Sequence, residues 1–233
     1  MIALVAVAEP AAGLEDLLSR PIALVAALAL VSLLPFAFMT VTAFVKIATV
    51  LQIVRSAIGA QSVPSSTVIM ALAGVLTLVA MAPVGDKIAA RAAPLLERKA
   101  SDTVTFVREG VDAVREPLRD FLKANASDVE RGRFFDVARR TRAASGAGAT
   151  VDQDDLTVLL PAFVVTELGE AFAVGFLIYL PFLVIDLVVS NVLLALGMQM
   201  MSPTQVSMPF KLLLFVAIDG WGLLAKSLIE GYR

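Results

Sequence analysis

Acidic and basic side chains interrupt the most apolar part of the chain: between Leu156 and Tyr232 stand Glu167, Glu170, Asp186, Lys211, Asp219, Lys226 and Glu230. An ionisable group at the centre of a bilayer costs about 2.5 to 3.5 kcal/mol, so such groups pair, line water or face protein. Several chemistries could use them. Glu167, Glu170, Asp186 and Asp219 could form a proton or ion relay in broken helices. Asp186 and Asp219 could share a proton as an intramembrane acid pair, although no local frame for one is visible. Ser207 and Lys211, at i,i+4, could be written as a serine–lysine dyad, against the simpler reading of a loop serine beside a structural lysine. Glu167 and Glu170 fall on one helical face, where like charges repel unless a cation from another subunit answers them, and Lys211 is the candidate. The remaining feature carries no charge. Met198, Met200 and Met201 surround Gln199 between Gly197 and Pro203, and these three of the chain's eight methionines occupy a turn signal, where polar residues are the rule.

Composition narrows what these residues can do. The 233 residues are 58% hydrophobic and 17% charged, with a mean hydropathy of +0.85, which places the chain in or against a membrane. A pI near 5.2 argues against nucleic acid, whose phosphates require clustered Lys and Arg. Cysteine and histidine are absent, which removes disulfides, thiol catalysis, Cys/His zinc sites and any Ser-His-Asp triad. There is no P-loop and no G-x-G-x-x-G, so no nucleotide chemistry is expected. No catalytic set, cofactor or metal is expected either. Asn125-Ala126-Ser127 fits a glycosylation sequon, a pattern too short to carry weight.

The elements that must position these residues are all helical, in three segments: residues 1–84, 85–155 and 156–233. Pro21 to Val45 is an uncharged run long enough for a spanning helix. A second uncharged run, Ser56 to Gly85, is divided by a turn-rich stretch from Gly59 to Ser66 and leaves a second helix, so the pair reads as a hairpin. Lys46 and Arg55 fall between those two helices and favour a cytoplasmic tip, which makes the insert extracytoplasmic. Met1 to Ala8 is apolar but lacks a basic start, so no cleavable signal is read there. Of 19 basic and 21 acidic residues, 13 of each lie between Asp86 and Asp155, a water-facing insert. Within it, Val104, Val107, Val111, Val114, Leu118, Phe121 and Leu122 recur at helical spacing. Ser127 and Glu130 have capping-box spacing ahead of a second helix. The stretch from Arg139 to Thr150 is expected to be a mobile loop. From Leu156 to Leu196 there is no strong helix break except Pro181, and a straight helix of that length would reach about 60 Å. It either kinks at Gly175/Pro181 or leaves the bilayer.

Several ordered motifs then resemble one family. They are Thr42-Ala43-Phe44-Val45-Lys46-Ile47, Gln52 to Gly59, Met81-Ala82-Pro83-Val84, Leu159-Leu160-Pro161-Ala162-Phe163, Pro181 to Val188, Leu194 to Met198, Met208 to Phe215, and Asp219-Gly220-Trp221. Together they resemble the FliP/SctR family, the core membrane protein of the type III secretion export gate. The resemblance implies five copies in a shallow spiral, completed by one copy of a second protein and wrapped by four small hairpin subunits. It places them in the bacterial inner membrane within the secretion basal body, with unfolded secreted proteins as substrate. It implies that the loop Met198, Gln199, Met200 and Met201, shaped by Gly197 and Pro203, is a gasket around the closed pore. Gln199 stands where many relatives carry an unbroken methionine run. Glu167, Glu170, Asp186, Lys211 and Asp219 would then pair inside protein. The runner-up is an ion- or proton-coupled secondary transporter, which the lack of an internal repeat disfavours. The lack of a clear signal leans towards the injectisome branch.

Overall fold

Proline, serine and glycine set where the helices begin and end. The computed structural model describes residues 21–59, 64–97, 103–144 and 151–232, and among them there is no strand. In chain order the helices are α1 (Pro21–Val41), α2 (Phe44–Ile58), α3 (Ser66–Ala80), α4 (Ala82–Glu97), α5 (Thr103–Asn125), α6 (Asp128–Ala144), α7 (Leu156–Ala195), α8 (Pro203–Ala217) and α9 (Gly220–Glu230). The expected all-α, membrane-associated class is the one observed. The chain divides into two compact units, Met1–Phe38 and Met39–Arg233. The first contains most of α1, an uncharged helix with Pro35 inside it and Val31, Leu33, Leu34 and Phe36 exposed. Met1 to Ala8 lies outside the described residues.

In the second unit the expected hairpin is displaced along the sequence. The uncharged run does not continue to Val45: α1 ends at Val41, and α2 starts at Phe44 and carries both Lys46 and Arg55. The hairpin is α2 against α3. Arg55 closes it, with Nε donating to the Pro64 carbonyl at 2.8 Å and Nη1 to Ser66 Oγ at 2.9 Å. Ser65 caps α3 by accepting the Val68 N–H at 3.4 Å. Lys46 and Arg55 are therefore helix residues, and Lys46 is buried, so neither is a loop charge from which an orientation follows. After α3 the chain bends by 54° into α4.

Between α4 and α7, α5 has the apolar periodicity expected of it. Its C-terminal half is covered: Phe121 and Leu122 pack with Val84, Leu159, Ala162 and Phe163 in a core of their own. Burying side chains of this size contributes about 1.5 to 3 kcal/mol each. Its middle is not covered, and Val111 and Val114 are exposed. The capping box forms by halves. Ser127 Oγ accepts the Glu130 N–H at 3.2 Å, but the Ser127 N–H goes to Thr166 Oγ1 on α7 at 3.1 Å, and Glu130 turns to Arg133 at 2.6 Å. The cap is thus also a tether to α7. Arg139, Arg140 and Arg142 belong to α6 and not to a loop, while residues 145–150 lie outside the described residues.

Helix α7 is one uninterrupted helix of 40 residues with Pro161 and Pro181 inside it. Among the described residues it is the single helix long and apolar enough to cross a membrane by itself. The bent pairs α3/α4 and α8/α9, at 54° and 59°, reach that length only together. Its N-terminal half buries Val158, Leu159, Ala162, Phe163, Thr166 and Glu167 at helical spacing. At Gly175 it meets α2 so closely that a Cβ would stand 2.5 Å from Ile53 Cδ1. Beyond that point Phe176, Leu177, Leu183, Val184, Leu187 and Val188 are exposed.

Candidate functional site

The methionine turn follows from how α7 ends. The Met198 N–H donates to the Leu193 carbonyl at 2.9 Å and the Gly197 N–H to the Leu194 carbonyl at 3.0 Å. This is a Schellman stop, which needs a left-handed residue at Gly197; its φ is +73°. The Met201 N–H then closes a turn onto the Met198 carbonyl at 3.2 Å, with Gln199 and Met200 at the two corner positions. Met200 is fully exposed, and Met198, Gln199 and Met201 are exposed as well. Pro203 opens α8 as its first residue, where its missing N–H is no loss. Gly197 and Pro203 therefore bracket a loop in which Met200 is wholly uncovered by the described chain and Met198 and Met201 are partly covered.

About three turns of helix before that loop, α7 is cross-braced to α8 by charge. Asp186 accepts the Ser207 hydroxyl at 2.5 Å through Oδ1 and the Lys211 ammonium at 2.6 Å through Oδ2. Lys211 also donates to the Ala57 carbonyl at the end of α2, at 3.1 Å. Ser207 and Lys211 are 0% and 2% exposed. This removes two alternatives that the sequence had already disfavoured. The Ser207–Lys211 dyad has no free base, because the lysine nitrogen is engaged by the Asp186 carboxylate and the Ala57 carbonyl. Asp186 does not share a proton with Asp219: its oxygens face Ser207 and Lys211, whereas Asp219 is exposed at the break between α8 and α9, with φ +51°.

Glu167 and Glu170 are answered from within the chain. Lys46 Nζ lies 3.2 Å from Glu167 and 2.6 Å from Glu170, which corrects the expectation that Lys211 or another subunit supplies the cation. Glu167 is 0% exposed and Lys46 8%, while Glu170 is exposed. The Tyr232 hydroxyl donates to the Glu167 carboxylate and lies 3.2 Å from the Ala43 carbonyl oxygen. Lys46 also stands over the Tyr232 ring at 4.6 Å. Asp219 takes part in no ion pair among the described residues, so its place among buried paired charges is corrected too. Among those residues no group of three or more acidic side chains is arranged to hold a metal.

The chain matches the FliP family over residues 27–228. It belongs to that family. The relatives of this FliP-family chain include the hypersensitivity response secretion protein HrcR of Ralstonia nicotianae, 43% identical over 203 residues that cover 87% of this chain and 93% of the relative. The Yop proteins translocation protein R of Yersinia pestis is 43% identical over 213 residues, 90% of this chain and 95% of the relative. The flagellar biosynthetic protein FliP of Rhizobium meliloti is 38% identical over 207 residues, 88% of this chain and 81% of the relative. The matched region contains the methionine turn and both charge clusters. Lys46 and Tyr232 are the site residues that sequence reasoning missed; Lys46 lay inside a quoted motif, and its isolation in an apolar helix was the signal available.

Proposed function

We propose that this FliP-family chain is a pore-forming core subunit of a type III protein export gate, conducting unfolded secreted proteins across the bacterial inner membrane from within the basal body. Five copies assemble with one spiral-completing subunit and four small hairpin subunits. Residues 85–155 form a water-facing insert, and the turn from Met198 to Met201 is the gasket of the closed pore. The observation that carries this reading is the turn itself: three methionines and a glutamine, all exposed and with Met200 wholly uncovered, presented between two braced helices. A pore for unfolded polypeptide needs a constriction that fits many side-chain shapes and dewets when empty. Methionine, unbranched with three rotatable bonds, supplies both.

The names of the relatives, secretion protein, translocation protein and flagellar biosynthetic protein, support export. The higher identity to the first two supports the injectisome branch over the flagellar one. A secondary transporter needs carboxylates free to load and release, and here Glu167 and Asp186 are each tied to a lysine, at 3.2 Å and 2.6 Å. The test is the triple variant Met198→Ala, Met200→Ala, Met201→Ala in the assembled complex. Assembly and secretion should persist while the membrane leaks small ions, read as salt sensitivity or conductance. Failure to assemble with no leak would make these methionines packing residues and remove the gasket.

A further inference from the structure

Gln199 is the one side chain in the turn that can hydrogen-bond, and it sits at the first corner position beside the fully exposed Met200. No hydrogen bond within the described residues engages its amide. It is therefore neither a turn-stabilising contact nor a tether to α7 or α8, and its donor and acceptor capacity is unused within the described chain. Resting on the gasket reading, we infer that Gln199 sets the hydration of the closed constriction and hydrogen-bonds the backbone of the polypeptide in transit.

The physical grounds are two. A ring made only of thioethers dewets, because water gains no hydrogen bond there. One primary amide per copy gives water a foothold and weakens that barrier. An extended polypeptide carries an unpaired N–H and C=O on nearly every residue, and stripping these of water without a partner is costly. An amide offers both a donor and an acceptor to whichever backbone group is passing, without regard to sequence, so it lowers the cost of transit for any substrate. Gln199 thus trades some tightness of the closed ring for passage of the chain.

Gln199→Met in the assembled complex is the test, with Gln199→Asn as the conservative control. Closed-state ion conductance should fall several-fold in Gln199→Met, secretion of a reporter substrate should slow, and Gln199→Asn should stay near the parent on both readouts. Unchanged conductance and secretion in Gln199→Met would overturn the inference. Measured beside the triple methionine variant, the two failures separate. A leak in the triple variant with no effect of Gln199→Met removes the role of Gln199 alone, whereas no leak in the triple variant removes the gasket beneath it.

Discussion

Lys46 is one of the residues that join the N-terminal and C-terminal parts of the second unit. It meets Glu167 and Glu170 across more than 120 positions of sequence, with the Tyr232 ring against it. Removing one member of a buried pair leaves the other charge unanswered, a loss of about 3 to 5 kcal/mol. Lys46→Met should accordingly cut the yield of assembled complex sharply, and Lys46→Met with Glu167→Gln should restore part of it; normal yield from the single variant would show that the cluster contributes little. The sequence displayed that Glu167 and Glu170 share a face, because i,i+3 is a local relation. It did not display which lysine answers them, because the pairing of Lys46 with Glu167 and of Lys211 with Asp186 depends on which faces of α2, α7 and α8 meet. Gly197 and Pro203 were legible for the opposite reason, since a left-handed stop and a helix-opening proline are written in adjacent residues.

Helices α5 and α6 are tied to the start of α7 through Asp154. It accepts Lys123 of α5 at 2.5 Å and Arg131 of α6 at 3.2 Å. The Lys123 hydrogen bond is the main reason the Asp154 carboxyl is held below its ordinary value, with the charges of Lys123, Arg131 and Arg119 adding to it against the cost of burial. With the folded pKa below the unfolded one, this stabilisation is complete at neutral pH, declines below about 3.9, and is lost as pH falls through the folded value. Asp154→Asn should loosen the α5–α6 junction at pH 7 and leave it insensitive to acid over that window, read as amide exchange at residues 128–131; parent-like protection in the variant would contradict the tie. Helix identity was legible here from periodicity and from Ser127, which does cap α6. Helix limits were less so. The uncharged run through Val45 ignored the break at Thr42 and Ala43, because absence of charge measures apolarity and not helix continuity. The arginines after Asp136 looked like the start of a loop, yet they are good helix formers and extend α6 to Ala144.

For the second unit as a whole, burial and exposure are unevenly distributed. The N-terminal half of α7 is packed against α2, α5 and α6, while its C-terminal half, together with Phe210, Leu213 and Val216 of α8, presents large apolar side chains outward. A continuous apolar surface of this kind is covered by lipid or by other protein chains. Two of its charges are compensated, Asp186 by Lys211 and Glu167 by Lys46, while Asp219 stands exposed without an ion pair among the described residues. What covers it was not written in the sequence: an apolar residue shows that it avoids water and does not show its neighbour. Native mass spectrometry of the chain co-expressed with candidate partner membrane proteins decides this. A particle with five copies of this chain and at least one partner protein is the expected result, with the chain alone poorly behaved; a stable, folded monomer from the chain alone would contradict the export-gate assignment.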